Sequence, residues 1–200
     1  MSDKIIINAL LLFAFLGITL QSASGQVKAT PKTPEPPVDY HANGAPMPDI
    51  LLITFDSIKT VSAGHWYHKK EKSTGTLSPK LVTGKDLDNG ANLLVMRFNP
   101  TCGHCEEQTD LFEKNIALFK KSNLVLIANS PMIPYMPDFI RNHHVKEYPK
   151  IVIGIDSSGY IGLTNLYSSL PQINIYGPDR KLIRAFCGEV SLDTLKQYIQ

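Results

Sequence analysis

The chain has 200 residues, 43% of them apolar and 8% aromatic, enough for one globular core with extensions. A net charge of +2 argues against a broad basic surface for nucleic acid or acidic lipid. Three cysteines, two of them in a C-x-x-C, do not make a framework of structural disulfides, and no solenoid repeat is present.

Lys4 precedes the apolar run Ile5 to Leu20, interrupted only by Asn8, Gly17 and Thr19. Ser22-Ala23-Ser24-Gly25 follows, a small-residue stretch that suits signal-peptidase cleavage near Gln26. Residues 1–25 are therefore read as an export signal. The run falls slightly short of the about 20 residues of a membrane span, and an uncleaved anchor through residues 5–20 is the alternative. Residues 26–48 hold Pro31, Pro34, Pro36, Pro37, Pro46 and Pro48 and read as an extended, polyproline-like tether. The folded domain is expected over 49–200.

Asp49 to Phe55 is a short β-rich run, and residues 56–84 are polar and turn-rich, without an order of elements. Leu93 to Phe98, apolar except for Arg97, predicts a strand buried on both faces. Asn99-Pro100-Thr101-Cys102-Gly103-His104-Cys105 turns the corner into a helix over Glu106 to Lys121, where apolar residues recur every three or four positions. Leu124 to Ala128 is the next strand, Asp138 to His144 a short helix, Lys150 to Asp156 a third strand and Gly159 to Tyr167 another short helix. Gln172 to Tyr176 and Lys181 to Phe186, joined by Gly177-Pro178-Asp179-Arg180, predict a hairpin. Ser191 caps a final helix with Leu192, Leu195, Tyr198 and Ile199 as its apolar stripe. The order from Leu93 onward, β-α-β-α-β-α-β-β-α, predicts parallel central strands and an antiparallel last pair.

The chemistry centres on Cys102 and Cys105. Strand, corner and helix place Cys102 at a helix N-terminus, where free N–H groups and the helix dipole stabilise a thiolate. Cys105 falls one turn further on, within reach for a disulfide. A Cys102 thiolate attacks a substrate disulfide and Cys105 resolves the mixed disulfide; the reverse sequence donates one. His104, between them, is placed to lend a hydrogen bond or a positive charge to that thiolate. A permanent bridge or half a zinc site are the alternatives, but a second ligand pair is missing, and Glu106 stands where a c-type haem motif needs His. His65 and His68, and the pair His143-His144, have no third ligand at metal spacing, so solvent-facing or locally bonded histidines are expected.

Phe98 to Cys105 resembles the active-site stretch of thioredoxin-fold proteins, and Ser169-Leu170-Pro171-Gln172-Ile173-Asn174 the segment that carries their cis-proline. Gly44-Ala45-Pro46-Met47-Pro48-Asp49 and the strand after it resemble the start of the exported, TlpA-like branch. The resemblance covers roughly 44–200. It implies an α/β thioredoxin fold, a three-layer sandwich around a mixed sheet with an N-terminal β extension. It also implies an exposed nucleophile at Cys102, a buried Cys105 and a cis peptide bond before Pro171. Leu170, with Gly103, then lines a peptide groove. Cys-Gly-His-Cys occurs in protein disulfide isomerases, whereas TlpA-like proteins generally act as reductants, so the direction of exchange is open. Two departures stand out: Thr101 replaces the Trp usual before the first cysteine, and the usual buried acid maps to Met96. Cys187, by resemblance beside the active site, is a half-buried core thiol, a partner for an intermolecular bridge or an alternative resolving cysteine.

The expectation is an exported thiol–disulfide oxidoreductase acting on protein cysteines, with no metal or organic cofactor and no nucleic-acid partner. A membrane or envelope redox partner would recycle the pair. The alternative is a peptide- or protein-binding module with a static disulfide. The terminal Lys196-Gln197-Tyr198-Ile199-Gln200 carries no ER-retention signal, which favours a bacterial periplasm or cell envelope.

Overall fold

The computed structural model describes residues 37–54 and 80–199. Residues 1–25, read as an export signal, the first part of the expected tether (26–36) and the segment with His65 and His68 lie outside the described residues. Among the described residues, seven strands form one sheet in the order β2-β1-β5-β4-β3-β6-β7. They are β1 (Leu51–Thr54), β2 (Lys80–Thr83), β3 (Leu93–Arg97), β4 (Asn123–Ala128), β5 (Ile151–Asp156), β6 (Gln172–Tyr176) and β7 (Leu182–Cys187). β3, β4 and β5 are mutually parallel, while β6 and β7 on one side and β1 and β2 on the other run antiparallel to their neighbours. The strand expected over Asp49 to Phe55 is thus β1, and β2 is an element that the polar stretch before it hid.

The central strands are apolar on both faces because both faces are covered. Leu94 and Met96 of β3 enter one cluster with Phe112, Phe139 and Leu195, and Leu93 and Val95 enter the other with Tyr160, Tyr176 and Leu52. Helices α1 (Gly103–Lys114), α2 (Met136–Asn142) and α4 (Leu192–Leu195) lie over the first cluster, and α3 (Tyr160–Thr164) over the second. Each fully buried Leu, Ile or Phe contributes about 1.5–3 kcal/mol, so the two clusters dominate stability. No helix among the described residues is long and apolar enough to cross a membrane.

Local chemistry moves three boundaries. The helix expected to reach Lys121 ends at Lys114, because the Asn115 side chain donates to the Leu111 carbonyl (2.9 Å) and its backbone leaves the helical region. A 3-10 turn over Ile116–Phe119 follows. Ser191 caps α4 as expected, accepting from the Thr194 N–H at 3.3 Å, but the helix closes after Leu195 in tighter turns. Third, residues 44–47 are not free tether. The Gly44 N–H donates to Leu182 O (2.7 Å), the Met47 N–H to Arg180 O (2.7 Å) and the Leu182 N–H to Ala45 O (2.8 Å). Pro46 tolerates this position because its bridge to Lys181 lies at the sheet margin, where a missing N–H costs little. Gly154 on β5 shows the closeness of β1: a Cβ there would lie 2.8 Å from the Ile53 carbonyl oxygen.

α1 faces α2 through a polar seam. His143 is buried against the Phe139 ring, and its Nδ1 lies 2.9 Å from Asp110 Oδ1. It is therefore neither solvent-facing nor locally bonded: its partner lies on another helix. Beside it, burial pushes the Glu113 carboxyl up to about 7, with Asp110 and Glu147 adding to the rise and Lys114 opposing it. Its Oε1 is buried without a hydrogen-bond partner among the described residues. The folded chain holds a proton there that the unfolded chain releases from 4.5 upward, so stability falls as pH rises from 4.5 to about 7. Glu113→Gln is expected to stabilise the protein by about 1–2 kcal/mol at about pH 8, part of the shift being screened by water, and to do little near pH 4.5. Urea denaturation at the two pH values checks this.

Candidate active site

β3 ends at Arg97, and the Phe98 N–H still pairs with Ile127 O (3.1 Å) before the chain turns. Asn99 builds the corner. Its Oδ1 accepts from both the N–H and the hydroxyl of Thr101 (each 3.0 Å), and its carbonyl accepts the Cys102 N–H (3.0 Å). Cys102 is the N-cap of α1, with extended backbone at φ −105° and ψ 116°. Its carbonyl starts the helix by accepting the N–H groups of Cys105 (2.9 Å) and Glu106 (3.1 Å). No side chain caps this end, so the first-turn N–H groups and the positive end of the dipole face the cysteine itself.

The two thiols differ in their surroundings. Cys102 is half-buried and Cys105 fully buried, and both are free thiols. Cys105 sits in the first apolar cluster with Met96, Phe98 and Phe112. Burial pushes its thiol up to about 12; a hydrogen bond with Cys102 and the charges of Cys102 and Glu106 add to this, and a backbone hydrogen bond from Asn99 opposes it. Met96 is itself buried, so the position expected to lack a carboxylate offers only a thioether.

Pro171 precedes β6, and the Leu170–Pro171 bond is cis. Leu170 is half-buried against the cluster that holds Cys105, with Cys102 packed on the same cluster. Gly103 is exposed at the start of α1, and a Cβ there would meet nothing within 4 Å among the described residues, so these leave room for a side chain. His104 is exposed, and its Nδ1 pairs with Glu189 Oε1; Glu107 Oε2 lies 3.9 Å from the same nitrogen. Cys187 ends β7 opposite Gln172. Its neighbour Phe186 packs on the cluster of Cys105, and side chains alternate along a strand, so Cys187 points to the other face of the sheet. That orientation removes the support for an alternative resolving role.

Cys102, Cys105 and Leu170 therefore share one cluster at one end of the sheet, with Pro171 next in the chain. Asn99 and Glu189 were not singled out from the sequence. Asn-Pro is a turn signal that marks the first. Glu189 has no signal, because its contact spans 85 positions. Two groups of described residues bring three candidate metal ligands within 4.8 Å of one another: His104, Glu107 and Glu189, all exposed, and Asp110, Glu113 and His143.

No family model matches the chain. A solution structure from Bacteroides thetaiotaomicron titled "putative protein disulfide isomerase" matches with a TM-score of 0.57 and 16% identity, covering 81% of this chain and 91% of that one. A thiol:disulfide interchange protein of the thioredoxin family from Chlorobium tepidum matches with a TM-score of 0.55 and 15% identity, covering 78% and 94%. The fold is the thioredoxin fold. In sequence, a Medicago sativa protein named "Probable protein disulfide-isomerase A6" is 32% identical over 75 residues, which is 38% of this chain. The match spans 20% of that relative's length.

Unequal burial of the pair has a direct chemical consequence. With Cys187 replaced by Ser, iodoacetamide at about pH 8 is expected to label Cys102 at least tenfold faster than Cys105, because only a thiolate reacts and only Cys102 is open to water. Peptide mass spectrometry of the time course checks this.

Proposed function

We propose that the chain is an exported thiol–disulfide oxidoreductase acting on protein cysteines, with Cys102 as nucleophile and Cys105 as resolving thiol. The observation that carries this reading is a half-exposed Cys102 at the uncapped N-terminus of α1, directly above a buried Cys105. Matches named as protein disulfide isomerases and as a thiol:disulfide interchange protein support the same chemistry. The TlpA-like branch and export rest on residues 44–49 and 1–25 of the sequence.

In the reducing direction the Cys102 thiolate attacks one sulfur of a substrate disulfide. The substrate S–S bond breaks, a mixed disulfide forms and the other substrate sulfur leaves as a thiolate. Cys105 then attacks Cys102 Sγ, closing the Cys102–Cys105 bond and releasing the second substrate sulfur. The substrate gains two electrons and the pair loses two. Cys105, pushed up to about 12, keeps its proton until that second step. The departing substrate thiolate or water takes the proton, since Met96 replaces an acid–base carboxylate. His104 tunes the thiolate, while Pro171, Leu170 and Gly103 shape the groove for an extended peptide. The dithiol itself is the redox group, so the reading calls for no metal or organic cofactor. An envelope redox partner returns the pair to its working state.

Equilibration of the fragment from Gln26 in glutathione buffers, with Cys187→Ser as background, tests the reading. A two-electron transition is expected, and Cys102→Ser abolishes turnover of a model disulfide. A potential near about −270 mV identifies a reductant, and one between roughly −120 and −180 mV a donor or shuffler of disulfides. Absence of a reversible transition overturns the enzyme reading in favour of a binding module.

A further inference from the structure

The loop after β7 touches each part of the site. The Gly188 N–H donates to the Pro171 carbonyl at 2.8 Å, Glu189 reaches His104, and Val190 is buried in the cluster that holds Cys105. Gly188 makes this path possible, since its φ of +81° is one that L side chains rarely adopt. A buried side chain anchors the loop in an unusual form. Gln108, on α1 and only 1% exposed, accepts the Val190 N–H on Oε1 at 2.6 Å and donates from Nε2 to the Val190 carbonyl at 3.3 Å. One amide thus pairs with both backbone groups of one residue, as a neighbouring strand would.

Gln108 lies four positions beyond His104, on the same helix face one turn further along. Gripping Val190 therefore places the preceding residue, Glu189, level with His104. We propose that Gln108 is a positioning residue of the thiol–disulfide site: its buried amide clamps loop 188–190 to α1 and so holds Glu189 against His104, between the two cysteines. The proposal rests on the reading given under Proposed function.

The physical alternatives to the clamp are poor. Val190 is buried, and an apolar side chain at position 108 would leave its N–H and carbonyl without partners in the interior. The loop must then move toward water and carry Glu189 away from His104. The charged groups facing the imidazole among the described residues are Glu189 from the loop and Glu107 from its own helix. With Glu189 in place the ring is fixed by its Nδ1, two positions from Cys102 at the same helix start, and an imidazole held there favours the reduced form of the pair. Without it, the ring is free to turn into solvent.

Four variants of the full chain, each with Cys187→Ser, separate this role from simple packing. The readouts are the dithiol–disulfide equilibrium constant against glutathione and the rate of exchange with a peptide disulfide, from about pH 5 to 9. Gln108→Leu is expected to move the equilibrium constant about tenfold toward the disulfide, equal to about 30 mV, and to slow exchange about tenfold. Glu189→Gln is expected to give the same shift, and the double variant no further one, because both remove one linkage. Gln108→Glu is the sharper test. A protonated carboxyl in that buried place accepts from the Val190 N–H and donates to its carbonyl, whereas a carboxylate faces that carbonyl without a proton to offer. This variant should match the parent near pH 5 and approach the Leu variant near pH 9.

A folded Gln108→Leu protein with the parent's constant within about twofold overturns the proposal. Should that variant fail to fold, an unchanged constant in Glu189→Gln together with a flat pH ratio of Gln108→Glu to parent overturns it equally. A parent that shows no reversible equilibrium overturns the thiol–disulfide reading itself, and the positioning role with it.

Discussion

The site exists because of how β3 is paired. One of its neighbours, β4, runs parallel and the other, β6, antiparallel. The C-terminal end of β3 therefore meets the start of β6, and the register pairs Arg97 with Gln172. The residue after Arg97 leads into the cysteine corner, and the residue before Gln172 is Pro171. A strand pairing of this kind brings two loops some seventy positions apart in the chain to one edge of the sheet. A slip of one residue would also exchange the two faces of β3, each of which is committed to a different apolar cluster. Packing of the whole sheet thereby sets the position of the corner.

On that foundation, two neighbouring thiols acquire different properties from different physics. Cys102 caps a helix, where oriented backbone amides stand in for solvent. Cys105, one turn on, is turned inward among apolar side chains, and loss of water raises its thiol to about 12. The helical period makes the division: with one position an N-cap and another in the first turn, one side chain faces the rim and the other the core. Buried polar side chains then hold the surrounding loops. Gln172 binds the loop before Pro171, accepting from the Leu166 N–H (3.0 Å) and donating to the Thr164 carbonyl (2.7 Å). Gln108 does the same for the loop after β7. Amides suit this task because they offer both donor and acceptor without a charge to bury.

Most of the strands were legible from the chain because burial on both faces demands unbroken apolar runs such as Leu93 to Val95 and Leu124 to Ala128. The cysteine corner was legible because a strand, a turn and a helix follow one another within a few residues. Helix ends were less so. Asn115 falls within the helical spacing of the sequence, and only the bond from its side chain back to Leu111 ends the helix there. β2 was hidden because only its Val82 is buried, which leaves too short an apolar signal.

By itself, the sequence determined the order of elements from Leu93 onward and the cysteine pair at a helix start. These are local facts, carried by residue type and spacing over one or two turns. Tertiary structure alone decided that His104 meets Glu189, that Gln108 grips Val190, that His143 turns inward to Asp110 and that Cys187 faces away from Cys105. These contacts join positions from 33 to 85 apart, or depend on which face of a strand a side chain takes. The chain has no periodicity that records such pairings; they follow from strand order and register, which the competition between two buried faces settles only when the whole sheet is assembled.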